Sequence, residues 1–240
     1  MPLTLPTVPT PATHLSPKAL IIYGPPKVGK TSISAVLPES LLVDIEDGSD
    51  YVTATKLKLS NIFEFTALED AIKKANKPYK YGILDSLDKL EEWCEEEATR
   101  RYKASVIGQS FKGATVLLLP NGGGYMHLRN VFYEYFQRFR QLFPYTIFIG
   151  HVRDRMLGTE GKEVSAKDLD LTGKVRNIAC AYADAIAYAY RAKDAKLTLS
   201  FVTNDLVNCG SRCDHLRGKE FTFSTPATAN DWNQIYVRNP

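Results

Sequence analysis

Residues 24–31 read Gly-Pro-Pro-Lys-Val-Gly-Lys-Thr and directly follow the apolar run Ala-Leu-Ile-Ile-Tyr at 19–23. This spacing of glycines, lysine and threonine is that of a phosphate-binding loop, whose successive backbone N–H groups surround a polyphosphate. Such a loop lies between a buried strand and a helix, and the pattern Ser-Ile-Ser-Ala-Val-Leu at 32–37 predicts that helix. The motif therefore predicts an α/β fold that binds a nucleotide.

The expected nucleotide contacts extend over the whole loop. Because the two prolines at its entry have no N–H group, the backbone donors must lie between Lys27 and Ser32. Lys30 is expected to reach the β- and γ-phosphates, and the hydroxyl of Thr31 to bind Mg²⁺. The residues predicted to contact the nucleotide are Gly24, Pro25, Pro26, Lys27, Val28, Gly29, Lys30, Thr31 and Ser32.

Length and composition favour one domain. A chain of 240 residues with 44% apolar content can bury a full core. Residues 1–17 contain five prolines and are expected to form an extended tail, which leaves 18–240 as the domain.

A net charge of +3 does not by itself require a nucleic-acid partner. No apolar run approaches the length of a membrane span and no secretory leader is visible, so we expect a cytoplasmic protein without membrane contact.

The four cysteines are too few and too scattered for a secreted disulfide scaffold, and we expect reduced thiols. Cys209, Cys213 and His215 could supply three zinc ligands. A second cysteine pair at matching spacing is missing, so zinc is the weaker interpretation.

The apolar pattern predicts alternating strands and helices up to about residue 151, and a strand-rich region beyond it. This favours a mainly parallel sheet flanked by helices, with a β-rich C-terminal extension of the same domain. The aromatic stripe of helix 126–143 is expected in the core, and the acidic run at 91–97 on a solvated helix face. The predicted strands are 40–45, 79–85, 145–151, 184–191, 197–203 and 220–223, with a hairpin at 155–164; the predicted helices are 68–75, 86–102, 126–143 and 226–237, and 103–125 is a predicted loop.

Hydrolysis of a bound nucleotide needs carboxylates that hold Mg²⁺ and orient the attacking water. Asp85 ends a predicted strand, where it is expected to contact Mg²⁺, although it could instead cap the following helix. Glu46 and Asp47 follow another strand and should reach the same sheet edge. From these residues alone, either carboxylate could orient the water.

These residues resemble the RecA-like recombinases, in which the catalytic glutamate ends the second strand within an acidic D-x-E-x-x-x-D segment. Here 44–50 reads Asp-Ile-Glu-Asp-Gly-Ser-Asp, and Ser86 follows Asp85 as in that family's Asp-Ser step. The resemblance implies that Glu46 rather than Asp47 orients the water. The fourth strand ends in Gly-His-Val-Arg at 150–153, where the family places a polar γ-phosphate sensor, so the resemblance makes His151 that sensor.

The chain is similar, over about residues 19–225, to the compact phage P-loop proteins of the RecA-like single-strand annealing group, also described as phage AAA-type nucleotide-binding proteins. The likeness includes Leu-Thr-Gly-Lys at 171–174 and Ala-Asp-Ala-Ile at 183–186, while the tail lacks a Phe-x-x-Ala assembly motif. It implies a RecA-like ATPase domain over 18–240 that uses ATP and Mg²⁺, with catalytic roles for Lys30, Glu46 and His151. The activity implied is DNA-stimulated ATP hydrolysis on single-stranded DNA in phage recombination, annealing or replication.

The same likeness implies partners and a location. Single-stranded DNA, further copies of the chain in a ring or filament, and a single-strand-binding protein are the expected partners, and a phage-encoded chain would act in the host cytoplasm. Loops that follow the sensor carry the DNA in RecA-like proteins, and this segment supplies six basic candidates within 24 residues. They are Arg153, Arg155, Lys162, Lys167, Lys174 and Arg176.

Other interpretations remain open from the sequence. Glu160, Glu163, Asp168 and Asp170 nearly balance the basic residues, as in a solvated hairpin. One of the basic residues, or Arg212 or Arg217, could instead reach a neighbouring subunit's γ-phosphate. The chain could also be a small-molecule P-loop kinase, or an ATP-gated assembly or loader factor without significant turnover. GTP is disfavoured because no Asn-Lys-x-Asp segment is present.

Overall fold

The computed structural model describes residues 5–75, 79–157 and 164–237. Within these ranges the chain forms ten strands and five α-helices. The strands are β1 (Ala19–Gly24), β2 (Ser40–Asp44), β3 (Lys56–Lys58), β4 (Tyr81–Asp85), β5 (Tyr145–Leu157), β6 (Val164–Leu169), β7 (Ala185–Arg191), β8 (Leu197–Ser200), β9 (Gly210–Ser211) and β10 (Glu220–Thr222). The helices are α1 (Lys30–Ala35), α2 (Glu64–Lys74), α3 (Leu87–Ala104), α4 (Gly124–Leu142) and α5 (Gly173–Tyr182).

The main sheet has the order β10-β8-β7-β1-β5-β4-β2-β3. The strands from β7 to β3 pair in parallel, while β8 and β10 extend the sheet antiparallel beyond β7. All residues of β1, β2 and β4 are buried, as expected for parallel strands covered on both faces. The predicted α/β fold with a β-rich C-terminal extension is therefore confirmed.

Two apolar clusters cover the two faces of the sheet. Successive residues of β1 alternate between them, with Ile21 in one and Ile22 in the other. Helices α2 to α5 contribute to the first cluster, and its centre is aromatic, since the rings of Phe136 and Phe148 stack at 4.4 Å between centroids. The aromatic stripe of α4 thus belongs to the core, as predicted. The second cluster joins Ile33 of α1 to Trp232 in the C-terminal segment.

Several elements differ from the sequence expectations. Helix α5 and strand β3 were not predicted, α2 begins at Glu64, and the C-terminal segment forms a 3₁₀ helix at Ala229–Gln234. The expected loop at 103–125 contains three 3₁₀ turns. Strands β5 and β6 form the predicted hairpin, whose tip at 158–163 lies outside the described residues.

The acidic run of α3 is only partly solvated, so the expectation of a wholly solvated face is wrong. Glu97 is 3% exposed and pairs with Arg100 and Arg101, which lie three and four residues further along the helix. Glu91 accepts a hydrogen bond from the backbone N–H of Thr172. The arginine partners of Glu97 lie at helical spacing and were readable from the sequence, whereas the Thr172 partner of Glu91 lies on a distant segment that the sequence does not bring close.

The N-terminal segment has no regular element between residue 5 and β1, and its described residues up to Leu15 are exposed. The hydroxyl of Ser16 then donates to the carbonyl of Val237 at 3.0 Å, which ties the two ends of the described chain together. None of the helices in the described ranges is long and apolar enough to cross a lipid bilayer.

Trp232 anchors the C-terminal segment on α1. Its indole N–H donates to the carbonyl of Ile33 at 2.7 Å and its ring packs edge-on against Phe223. Because the side chain is 1% exposed, Trp232→Ala is expected to lower the free energy of unfolding by about 3–5 kcal/mol in urea denaturation. Asn233→Ala, at an exposed neighbouring position, is the control and should change little. A loss below about 1 kcal/mol for Trp232→Ala would show that the segment unfolds independently.

Candidate active site

The loop between β1 and α1 has a backbone that requires glycine at two points. Gly29 has a φ of 113°, in the left-handed region that other residues avoid. At Gly24 a Cβ atom would lie 2.3 Å from the carbonyl oxygen of Ala189 on β7, so only glycine allows this approach. The two glycines of the sequence motif are thus explained by local geometry.

The loop fits an anionic ligand. The first hydrogen bond of α1 runs from the N–H of Ile33 to the carbonyl of Gly29, at 3.0 Å. The N–H groups from Gly29 to Ser32 donate to no acceptor among the described residues, and donors of this kind bind phosphate. The buried ammonium of Lys30 donates to the carbonyls of Gly24 and Pro25, at 2.8 and 2.9 Å. Its burial lowers the pKa of Lys30, although nearby carboxylates oppose this shift.

The side chains of Asp85 and Thr31 place two oxygen atoms of the kind that hard cations prefer beside the phosphate loop. The Thr31 hydroxyl donates to Oδ2 of Asp85 at 2.7 Å, and Asp85 is 7% exposed at the end of β4. Burial raises the pKa of Asp85 to about 6, and the Thr31 hydrogen bond offsets this only in part. A carboxylate that is poorly compensated by the protein favours an added cation, and hydroxyl and carboxylate oxygens suit Mg²⁺. The residues present therefore fit the predicted metal.

Asp44 shapes the turn that carries Glu46. Its buried carboxylate accepts hydrogen bonds from the N–H groups of Glu46, Gly48 and Ser49, at 3.1, 3.4 and 3.0 Å. Burial alone would raise the pKa of Asp44, but the hydrogen bonds from Ser49, Glu46 and Gly48 outweigh it and the pKa is lowered. The neighbouring Asp47 instead forms an exposed ion pair with Lys58 at 2.6 Å. Glu46 is thus the residue of the Glu46–Asp47 pair that turns towards His151, with Oε1 3.8 Å from its Nε2.

Asp88 is a site residue that the sequence analysis missed. It lies in the first turn of α3, and its Oδ2 is 2.8 Å from Nδ1 of His151. Since an ionised carboxylate can only accept, Nδ1 carries the proton of this bond and Nε2 faces Glu46. The hydrogen bond to Asp88 raises the pKa of His151 despite the opposing effect of burial. Burial would raise the pKa of Asp88, but the bond and charge of His151 lower it overall.

The order of the parallel strands brings the predicted catalytic residues to one edge of the sheet. Gly24 lies opposite His151 in the β1–β5 register, and Asp44 lies opposite Asp85 in the β2–β4 register. The ligand atoms of Glu46, Asp88 and His151 all lie within 4.8 Å of one another. A sequence signal for Asp88 was available, because it follows Asp85 by three residues and therefore lies on the first helical turn at the same edge.

A family model described as an AAA domain matches residues 16–213. The chain belongs to this AAA-domain family. Membership indicates nucleotide-dependent ATPase activity on a P-loop fold, in agreement with the loop and carboxylates described above. No curated protein matches the chain.

Of the six basic residues predicted to contact DNA, Arg155, Lys167 and Arg176 line one cavity. Lys167 pairs with Asp154 and Arg176 with the buried Asp168, so both cations are compensated within the protein. Arg153, Arg155 and Lys174 have no carboxylate partner among the described residues, and Lys162 lies outside them. Arg212 and Arg217 form ion pairs with Asp184 and Asp214, at 3.5 and 2.9 Å.

The candidate zinc ligands lie apart. The thiol of Cys209 donates to the carbonyl of Val202, and Nε2 of His215 lies 2.9 Å from the carbonyl of Ile235. Among the described residues, these two do not converge with Cys213 into a metal-binding group. Burial raises the pKa of the Cys209 thiol to about 11.

Asp85 should destabilise the metal-free AAA domain. Because the folded-state pKa of Asp85 is raised, the free energy of unfolding falls as pH rises from about 4 through about 6, and the full cost is present at pH 7. Asp85→Asn is therefore expected to increase the free energy of unfolding at pH 7 in EDTA by about 1–3 kcal/mol. Asp44→Asn makes the same chemical change but should destabilise, because the ionised Asp44 accepts three backbone hydrogen bonds. Equal signs for the two variants in urea denaturation would contradict this account.

Asp88 should control the charge of His151. In Asp88→Asn the pKa of His151 is expected to fall back towards its ordinary range, as measured by NMR titration of the imidazole, because the opposite charge is removed. The stabilisation from the raised His151 pKa is complete below about pH 6.5 and is lost as pH rises through the folded pKa. The variant should therefore lose more stability at pH 6 than at pH 9. Asp154→Asn, which removes an exposed carboxylate of the Lys167 pair, is the control and should leave His151 unchanged.

Proposed function

We propose that this AAA domain is a Mg-ATP-dependent, RecA-like ATPase that acts on single-stranded DNA in phage recombination, annealing or replication. One observation carries the proposal: the strand that bears His151 at the catalytic edge continues directly into the basic hairpin. Strand β5 runs without interruption through Tyr145–Leu157, so the candidate phosphate sensor and the candidate DNA contacts share one element.

The geometry supports a division of roles at the catalytic edge. Bound Mg-ATP supplies the phosphoanhydride that is cleaved and the cation that offsets its charge. The loop N–H groups and Lys30 hold the phosphates, and Thr31 with Asp85 holds the metal. Glu46 orients the attacking water, because its carboxylate faces the site while Asp47 is occupied by Lys58. His151 donates from Nε2 to a phosphate oxygen when it is protonated.

A cavity of about 380 Å³ beside α1 suits the nucleoside. Gly29 and Ser32 line it, so it is continuous with the phosphate loop. Tyr51, whose side chain is fully exposed, and Pro226 are also among its lining residues. No Asp or Glu is among the residues that line it, so no carboxylate accepts the donors that distinguish guanine. This lining supports ATP rather than GTP as the nucleotide.

The geometry of strand β5 supports a coupling between ATP binding and DNA binding. Residues two apart on a strand face the same side, which places His151, Arg153 and Arg155 on one face of β5. Two of these are arginines without a carboxylate partner among the described residues, as a phosphate backbone requires. A rotation of His151 on phosphate binding is thus transmitted along a single strand to the DNA contacts.

The wider setting is part of the proposal and rests on the family resemblance alone. It comprises assembly of copies into a ring or filament, a basic residue that reaches a neighbour's nucleotide, a single-strand-binding protein as partner, and action in the host cytoplasm.

Glu46→Gln is expected to reduce ATP turnover by about 10²–10⁴-fold while ATP binding persists, because the variant loses only the group that orients water. Lys30→Ala should lose both binding and turnover. Asp47→Asn is the matched control and should retain most activity, since Asp47 is 82% exposed and paired with Lys58. Phosphate release and binding of a fluorescent ATP analogue distinguish the cases. Loss of turnover in Asp47→Asn with retention in Glu46→Gln would reverse the assignment, and negligible wild-type turnover would favour an ATP-gated assembly factor.

The Arg153→Gln/Arg155→Gln double variant tests the DNA contacts. The ratio of turnover with single-stranded DNA to turnover without it is expected to fall towards one. The slope of log affinity against log salt should decrease by about 1.4, since each single-strand phosphate contact contributes about 0.7. A Lys112→Gln/Lys193→Gln double variant removes the same charge from exposed positions and should keep both values. If single-stranded DNA neither binds nor changes wild-type turnover, the DNA part of the proposal is wrong even though ATPase activity stands.

A further inference from the structure

A second cavity, of about 320 Å³, lies at the root of the hairpin. We call it the hairpin-root pocket; β6, α5 and the segment 203–208 form its walls. It shares no residue with the cavity beside α1, so it is separate from the nucleoside site. One of its rim residues is Arg155, which the sequence placed among the DNA contacts.

The floor of the hairpin-root pocket is built around a buried carboxylate. Asp168 is 4% exposed and accepts hydrogen bonds from the guanidinium of Arg176 and, at 3.0 Å, from the side-chain amide of Asn208. On the wall, Oδ1 of Asn204 accepts from the N–H groups of Leu206 and Val207, at 2.8 Å each. These bonds fix the pocket in advance of any ligand.

The pocket also presents polar groups that are not used within the protein. Among the described residues, the side-chain amide of Asn177 has no hydrogen-bond partner, Nδ2 of Asn204 donates to nothing, and Oδ1 of Asn208 accepts nothing. The Asn177 amide therefore offers a donor beside an acceptor, which is the pattern on the edge of a nucleobase, while Asn204 adds a single donor and Asn208 a single acceptor.

The charges of the pocket suit a single phosphate. Arg176 is compensated by Asp168 and Lys167 by Asp154. This leaves Arg155 as the lining cation without a carboxylate partner among the described residues, and Asp205 as a lining carboxylate without a cation partner, so a phosphate is favoured at Arg155 and disfavoured beside Asp205. A polyphosphate would need more uncompensated cations than this, whereas one phosphodiester needs one.

We propose that the hairpin-root pocket holds one nucleotide unit of a bound single DNA strand, with the base against the amides of Asn177, Asn204 and Asn208 and its phosphate at Arg155. The inference rests on the proposed function, because the strand is the DNA on which the ATPase acts. It adds to that function a polar contact to the base, beyond contacts to the phosphate backbone.

The test compares two 20-nucleotide strands by fluorescence anisotropy: oligo-dT and an abasic phosphodiester of the same length. The wild-type chain is expected to bind oligo-dT more tightly than the abasic strand. Asn177→Ala should weaken oligo-dT binding by about fivefold to tenfold, as expected for the loss of one or two hydrogen bonds, and leave the abasic affinity and the salt slope unchanged. Asn130→Ala, at an exposed position of α4, is the matched helical control and should change neither affinity.

The outcomes separate this inference from the function on which it rests. If oligo-dT binds and Asn177→Ala leaves the preference over the abasic strand intact, the pocket assignment is overturned while the DNA-dependent ATPase stands. If neither strand binds, both fail. The last measurement uses free dTMP. Tight binding of this mononucleotide that depends on Asn177 would identify a free-nucleotide site and overturn the assignment of the pocket to a DNA strand. Weak or absent binding of dTMP supports the strand assignment. Circular dichroism of each variant confirms that the fold is retained.

Discussion

The parallel pairing of β1 with β5 is the constraint on which the site depends. It sets Gly24, the first residue of the phosphate loop, opposite His151. On its other side, Gly24 lies against β7, where a Cβ atom would be 2.3 Å from the carbonyl oxygen of Ala189. The position of the loop relative to the candidate sensor is therefore set by backbone pairing rather than by flexible side chains.

Besides Glu46, four carboxylates lie at or beside the same edge, and each of them has a different environment. Asp44 is satisfied by backbone N–H groups, Asp88 by His151, and Asp47 lies outside in an ion pair with Lys58. Asp85 alone has a pKa raised to about 6, because burial outweighs its hydrogen bond from Thr31. Each pKa unit corresponds to about 1.4 kcal/mol, so the domain carries a real cost at the position where a cation is expected. The aromatic core and the anchor at Trp232 offset that cost.

Those features that depend on local residue patterns could be predicted from the sequence. The phosphate loop, the strand that ends at Asp85 and the strand-rich region beyond residue 151 all follow from motif spacing or from apolar runs, and the strand predicted over 40–45 ends one residue earlier, at Asp44. Helix α5 was missed because only Val175 and Ala179 of its ten residues are buried, which leaves a weak apolar period. Asp88 and Glu97 were missed for another reason. The partner of Asp88 is His151 on a distant strand, and the burial of Glu97 depends on packing, so only the folded chain defines these two environments, although Arg100 and Arg101 follow Glu97 at helical spacing.

Helix α3 provides a second connection between the catalytic edge and the hairpin, parallel to the one through β5. Its first turn holds His151 through Asp88, and one turn later Glu91 accepts the N–H of Thr172 at about 3 Å. Thr172 caps α5, the helix that carries Asn177 and Arg176 into the hairpin-root pocket. Residues three apart on a helix lie on the same face, so both bonds act on one side of α3. These contacts form a continuous path from His151 through α3 to the helix that lines the hairpin-root pocket, so the two ends of the site are joined by hydrogen bonds on one helix face.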